Sequence, residues 1–195
     1  MSISPHQLQQ NRVDFLEILR NTTKISKISP IMDFLDDSDF WEAPASTRYH
    51  EAYEGGLVEH SLKVYELLTT LNYNHFMGFS DESIAKTALF HDLCKVNFYR
   101  KTRKNKKMED GRWINVSAYE VNDELPLGHG EKSLFLLVQH GVELTEEEAL
   151  AIRWHMGAWD QSTRDFGASQ ALTGAMNKHK LVTALHIADM MAVWL

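Results

Sequence analysis

Thr87-Ala88-Leu89-Phe90-His91-Asp92-Leu93-Cys94-Lys95-Val96 is the stretch that decides how the rest of this chain is read. Its composition predicts the last turns of a helix, with Ala85, Ala88 and Leu89 at the spacing of an inward stripe. Asp92 continues that stripe, and His91 and Lys95, four apart, share a neighbouring face. A carboxylate on a core-facing stripe is costly unless it is hydrogen-bonded, paired or bound to a cation. Taken alone, the pair fits a buried aspartate satisfied by backbone donors near a helix end. The rest of the chain has to supply the contrast.

Working outward, Leu57 opens a long helix running to about His75, with the stripe Leu57, His60, Val64, Leu67 and Leu71. Histidine stands at position 60 where that pattern calls for an apolar residue. Ser80-Asp81-Glu82 caps the helix that carries His91 and Asp92. After Val96 the period changes: Phe98-Tyr99 and Trp113-Ile114-Asn115-Val116 flank a basic run and an Asp110-Gly111 turn signal, which predicts a β-hairpin over about 97–121. Helices resume at Gly128-His129-Gly130 and end near Gly141. Thr145-Glu146-Glu147-Glu148 has the form of a capping box, and the helix behind it turns Ala149, Ile152, His155 and Met156 inward. A loop over Gly157 to Gly167 precedes a last helix from about Lys180 to Leu195, whose stripe is Leu181, Leu185, Ala188, Asp189 and Ala192. On the N-terminal side, Ser4-Pro5 and Ser29-Pro30 read as two helix starts, followed by a loop through Phe40 to Ser46. The expected architecture is mostly α, a helical bundle with an inserted hairpin. Residues 1–48 form an N-terminal helical extension packed on a main domain at 49–195.

The 195 residues and 44% hydrophobic content allow one domain with a sizeable core. No apolar run approaches ~18 residues, so no membrane association is expected. One cysteine, Cys94, excludes an internal disulfide and a Cys-rich zinc site. With no secretory pattern at the N-terminus, a cytoplasmic location is expected. The formal charge of −7 hides a polarity: Arg100, Lys101, Arg103, Lys104, Lys106 and Lys107 fall in eight residues without an acid, leaving 14 basic against 27 acidic residues elsewhere. Ten histidines are many for this length and hint at metal chemistry.

His60, His155 and Asp189 thus repeat, on three other predicted helices, the anomaly seen at Asp92, and His129 starts a helix between them. One such residue is usually a satisfied core group. Several on separate helices are explained jointly by convergence on metal, which supplies the partner charge that burial demands. The arrangement His60 … His91-Asp92 … Asp189 resembles the signature of the HD superfamily of metal-dependent phosphohydrolases, over roughly Tyr49 to Met190. The run His50-Glu51-Ala52-Tyr53-Glu54-Gly55-Gly56-Leu57-Val58-Glu59-His60 is similar to the corresponding segment of HD-type 3′→5′ exoribonucleases. The resemblance implies that His60, His91, Asp92 and Asp189 hold one divalent metal. It also implies a binuclear branch in which Asp92 bridges to a second ion held with His129 and His155. No Gly-Tyr-Pro signature follows His155, which argues against the cyclic-di-GMP phosphodiesterase branch.

Two such ions would activate a water for in-line attack on a phosphoryl group. Mixed imidazole and carboxylate donors do not distinguish Mn, Fe, Co, Ni or Zn. Asp92 and Lys95 are the catalytic candidates, Lys95 for charge on the phosphate, with Lys132 a weaker candidate for the same task. His50 and Trp159 are candidates for contact with substrate, Trp159 as a stacking wall. Lys95 is equally readable as a lysine favoured by a helix C-terminus, Trp159 as packing, and His186 as a packed helix histidine. The expected activity is a phosphohydrolase acting on a nucleotide or related phosphate ester. A nuclease-like phosphodiesterase on single-stranded RNA or DNA, contacted through the basic hairpin at 100–107, is one alternative. A non-catalytic sensor that binds metal and nucleotide is another.

Overall fold

The computed structural model describes residues 3–47 and 50–195, and the side chains of 25–28 lie outside the description. Tyr49, where the sequence resemblance begins, is among the undescribed residues. Helix α1 (Pro5–Thr22) starts as expected: the Ser4 hydroxyl accepts from the Gln7 amide at 3.1 Å and Pro5 occupies the first turn. Helix α2 (Ile25–Asp37) begins before the Ser29-Pro30 signal, so Pro30 sits inside the helix and removes one amide from its ladder. Helix α3 (Gly56–Asn74) and α4 (Asp81–Phe90) follow. The hairpin is formed by β1 (Tyr99–Lys107) and β2 (Trp113–Val121), antiparallel, with Tyr99 opposite Val121 and Lys107 opposite Trp113. Then come α5 (His129–Gln139), α6 (Glu146–Arg153), α7 (Phe166–Lys178) and α8 (Lys180–Trp194).

The mostly α architecture with a two-stranded insertion agrees with the periodicity, and the capping box at Thr145 and Glu148 is present with both of its hydrogen bonds. Besides the start of α2, two elements differ. The stretch His91–Lys95 does not extend α4: the helix stops at Phe90, and Leu93–Lys95 form a 3₁₀ turn. The sequence reading assigned no helix between Gly167 and Lys180, yet α7 lies there. Asp165 caps it by accepting from Gly167 and Ala168. Only Leu172 and Ala175 of α7 are buried, so it lacks the wide apolar stripe that makes a helix visible in sequence.

Two apolar clusters fill the interior. One gathers Phe15, Leu19, Ile31, Leu35, Phe40 and Trp41 with Leu57, Ala85, Leu89 and Phe90, so the first two helices share a core with α3 and α4. The other joins Val64, Leu68, Ile84 and Ala88 to Ala151, Trp154, Leu181, Leu185 and Ala188. His60 falls on α3 between Leu57–Val58 of the first and Val64 of the second. Gly130 lets α5 meet the end of α6: a Cβ there would lie 1.9 Å from the Arg153 carbonyl oxygen. That approach brings the start of α5 beside the turn that carries His155. Among the described residues, no helix is long and apolar enough to cross a membrane.

Phe15 is fully buried and packs edge-on against Phe40, Trp41 and Phe90. Phe15→Ala should cost about 3–5 kcal/mol of stability by chemical denaturation. A loss below about 1 kcal/mol would mean that the N-terminal helices are not part of the main core.

Candidate metal centre

The polar side chains that converge in the interior are placed by helices and by the turns that follow them. His60 projects from the second turn of α3 and is fully buried. His91 caps α4, where the last carbonyls of a helix lack partners, and its Nδ1 lies 2.9 Å from the Ala88 carbonyl. His155, two residues past α6, does the same with the Ile152 carbonyl at 2.7 Å. Both rings therefore present Nε2 inward. Asp92 follows in the turn after α4, and Asp189 comes from the middle of α8.

These groups meet. His60 Nε2 lies 3.3 Å from His91 Nε2, 3.6 Å from Asp92 Oδ2 and 3.1 Å from Asp189 Oδ1. His91 Nε2 lies 3.4 Å from Asp92 Oδ2, and His155 Nε2 lies 3.5 Å from Asp92 Oδ1. Four sets of donor atoms among the described residues sit within 4.8 Å of one another: His50, Glu51 and His60; His60, His91 and Asp189; His91, Asp92 and His155; and Asp92, Cys94 and His129. Asp92 belongs to two of them, with its two oxygens turned to different imidazoles. His155 Nε2 is buried with no hydrogen-bond partner among the described residues. An orphaned buried lone pair beside a carboxylate is what a ligand set without its cation would leave, so the donors fit a divalent metal.

Charge settles which groups can serve. Burial alone would raise Asp92, but the Lys95 ammonium and the His91 ring override it and hold the carboxyl well below its usual range. Asp189 is likewise lowered, its burial outweighed by the hydrogen bond and charge of His60. Both are carboxylates at neutral pH. Burial pushes the Cys94 thiol up to about 12, which disfavours it as a thiolate donor. The 3₁₀ turn closes an i,i+3 contact, so Lys95 donates directly to Asp92 Oδ2 instead of sharing a helix face with His91.

Asp92, His129 and Asp189 of the centre line a cavity of about 710 Å³ together with Lys95, Tyr99 and His50 and with the apolar Met156, Trp159, Met190 and Trp194. His50 and Trp159 therefore reach the cavity, and Trp159 is 69% exposed at its edge. Lys132 does not line it: its ammonium is buried against Asp123 Oδ1 at 2.6 Å and over the Phe98 ring. His186, set aside in the sequence, lines the cavity and bonds through Nδ1 to the His155 carbonyl at 2.7 Å.

The HD domain model matches residues 57–193, well over half of the chain and spanning every group from His60 to Asp189. The chain belongs to the HD domain family. One relative of this HD domain is the dihydroneopterin 2′,3′-cyclic phosphate phosphodiesterase of Methanocaldococcus jannaschii, 33% identical over 95 residues, which are 46% of this chain and 35% of the relative. The match thus spans about a third of that protein's length. No solved structure matches.

His50 is depressed to about 4, first by burial and then by Lys95 and His60, and burial also lowers His129. Each holds fewer protons folded than unfolded between the ordinary histidine value and its lowered one. The stabilising contribution of His50 is therefore present near neutrality and is lost as pH falls from about 6.5 towards 4, and that of His129 is lost in the same direction. The metal-free protein should lose thermal stability over that range, and His50→Gln should flatten the loss. An unchanged profile in the variant would contradict this.

Proposed function

We propose that this HD domain is a metal-dependent phosphohydrolase that cleaves a nucleotide or related phosphate ester with a metal-activated water. The observation that carries the reading is Asp92: a buried, ionised carboxylate between two sets of imidazoles, with the Lys95 ammonium beside it and both residues lining the cavity. The family match supports hydrolysis of the HD type, and the relative's name supports a phosphoester substrate. We assign the activity to residues 49–195 and take 1–48 as an extension that completes the core.

In this reading His60, His91, Asp92 and Asp189 hold one ion, and Asp92, His129 and His155 a second. Divalent cations bound there would supply an acidified water and positive charge for the phosphoryl oxygens. The chain supplies the rest. Backbone carbonyls fix the tautomers of His91 and His155, so that Nε2 is the free nitrogen. Lys95 offers a cation to phosphoryl oxygen from the cavity wall, and His50 lies within reach of the same space. Trp159 and Trp194, 69% and 75% exposed, flank the apolar part of the cavity together with Met156 and Met190. Flat apolar side chains lining the same cavity as the charged groups suit a planar ring attached to a phosphate ester.

Hydrolysis of chromogenic and nucleotide phosphoesters should vanish on chelation and return with a divalent transition metal. Lys95→Ala should lower kcat by roughly 10²–10³ while metal content is kept. Turnover that survives chelation would overturn the metal mechanism. Tight nucleotide binding without turnover under every metal would favour a sensor.

A second reading, a phosphodiesterase on single-stranded RNA or DNA, rests on the hairpin register. Tyr99, which lines the cavity, shares a hairpin face with Lys101, Arg103 and Lys107 and with the cross-strand Tyr119 and Trp113. Lys101 is engaged by Glu54 at 3.0 Å, whereas Arg103, Lys104, Lys106 and Lys107 form no ion pair among the described residues. Oligonucleotide affinity should then fall steeply with salt, with a log–log slope of about −0.7 per phosphate contacted, and fall further when those four residues are neutralised. Salt-independent or absent binding would leave the small phosphate ester.

A further inference from the structure

A neutral imidazole that gives one nitrogen to a metal carries its proton on the other, and a buried proton needs an acceptor. His91 and His155 meet that need with the carbonyls of Ala88 and Ile152, which are available because both residues stand at or just past a helix end. His60 stands inside α3, where the carbonyls are engaged in the helix ladder. Its Nδ1 is buried and has no hydrogen-bond partner among the described residues. Facing it at 3.9 Å is Glu51 Oε2, which is also buried and also without a partner. Two complementary orphans point at each other.

We propose that Glu51 is a positioning residue of the metal centre, whose carboxylate accepts the Nδ1 proton of His60 and so holds Nε2 as the metal-facing nitrogen. The inference rests on the reading of His60 as a ligand and goes beyond it, to a residue outside the ligand set. The backbone is arranged for this contact. Glu51 has φ +39°, a left-handed conformation that a glutamate seldom adopts. Its carbonyl oxygen accepts from the amides of Ala45 and Tyr53 at 3.1 and 2.9 Å, pinning the turn. A Cβ on Gly56 would lie 2.0 Å from that oxygen, so only glycine lets the turn lie against the start of α3. The strained turn, the glycine and the buried carboxylate together aim one side chain at His60. Closing the gap to hydrogen-bond length takes about 1 Å, within the tightening that sites undergo on loading.

The cluster has one other chemical use. His50, Glu51 and His60 offer donor atoms within 4.8 Å of one another and could hold a cation themselves. That would require His60 to give up its one remaining ring proton and ligate as an imidazolate, whereas acceptance by Glu51 leaves that proton in place.

The test uses the full chain loaded with zinc, with ¹⁵N-labelled histidine, and the variants Glu51→Gln and Glu51→Ala. Long-range ¹⁵N–¹H spectra report which nitrogen of each histidine carries the proton, and chelator competition reports metal affinity. In the wild-type chain His60 should be protonated on Nδ1, with the Nδ1 proton shifted as in a bond to carboxylate. Glu51→Ala should weaken metal binding by about 10–100-fold and change the His60 signal while those of His91 and His155 stay in place. Glu51→Gln, which keeps an acceptor and the side-chain volume, should restore most of the affinity. Wild-type affinity and an unchanged His60 signal in both variants would overturn the positioning role alone. Loss of one whole ion per chain in both variants would replace it with a cation site at His50, Glu51 and His60. A wild-type chain that takes up no zinc would overturn both this inference and the metal reading beneath it.

Discussion

The charge on Asp92 has to be maintained inside a protein whose neighbouring side chains are Leu89, Phe90 and Leu93, each no more than 1% exposed. An ionised carboxylate in such surroundings is very costly unless positive charge or hydrogen-bond donors surround it. Lys95, His60, His91 and His155 do surround it, each delivered by a different local device: a 3₁₀ turn, a helix interior, a helix cap and a helix-end turn. The converging groups stand on or just past α3, α4, α6 and α8. They pack so that His60, His91, His155 and Asp189 converge, and the two apolar clusters close on either side.

That arrangement brings preorganised charge and exposed aromatic rings into the lining of one cavity. Backbone carbonyls hold the rings of His91 and His155, so those two imidazoles do not need to reorganise when a cation arrives. The apolar part is built from Trp159, Trp194, Met156 and Met190, with both tryptophan rings largely solvent-exposed, which suits a wall that receives a ligand. The hairpin is a separate appendage. Its basic side chains are exposed along most of β1, and its root reaches the cavity through Tyr99.

Much of this was legible in the sequence because the ligand candidates violate helical periodicity. A histidine at 60 or an aspartate at 189 stands out against Leu57, Val64, Leu185 and Ala188 in a way that needs no structure. The Asp110-Gly111 signal likewise marked the hairpin turn. Helix α7 escaped because it buries only two residues, and the end of α4 was misplaced because Leu93-Cys94-Lys95 continues an apolar pattern through a 3₁₀ turn. Lys132 looked available beside His129, but α5 turns its ammonium to Asp123 and away from the cavity. Glu51 was invisible for another reason. Its relation to His60 comes from a left-handed backbone and a close approach at Gly56, and neither is a periodic property.

The central claim is that the converging imidazoles and carboxylates are a metal site organised around Asp92. Metal content per chain, measured by mass spectrometry on the wild-type protein and on Asp92→Ala, tests it most directly. The account predicts about two divalent transition-metal ions per wild-type chain and near-complete loss in the variant. No metal after reconstitution with Mn or Fe, or equal content in the two proteins, would contradict it.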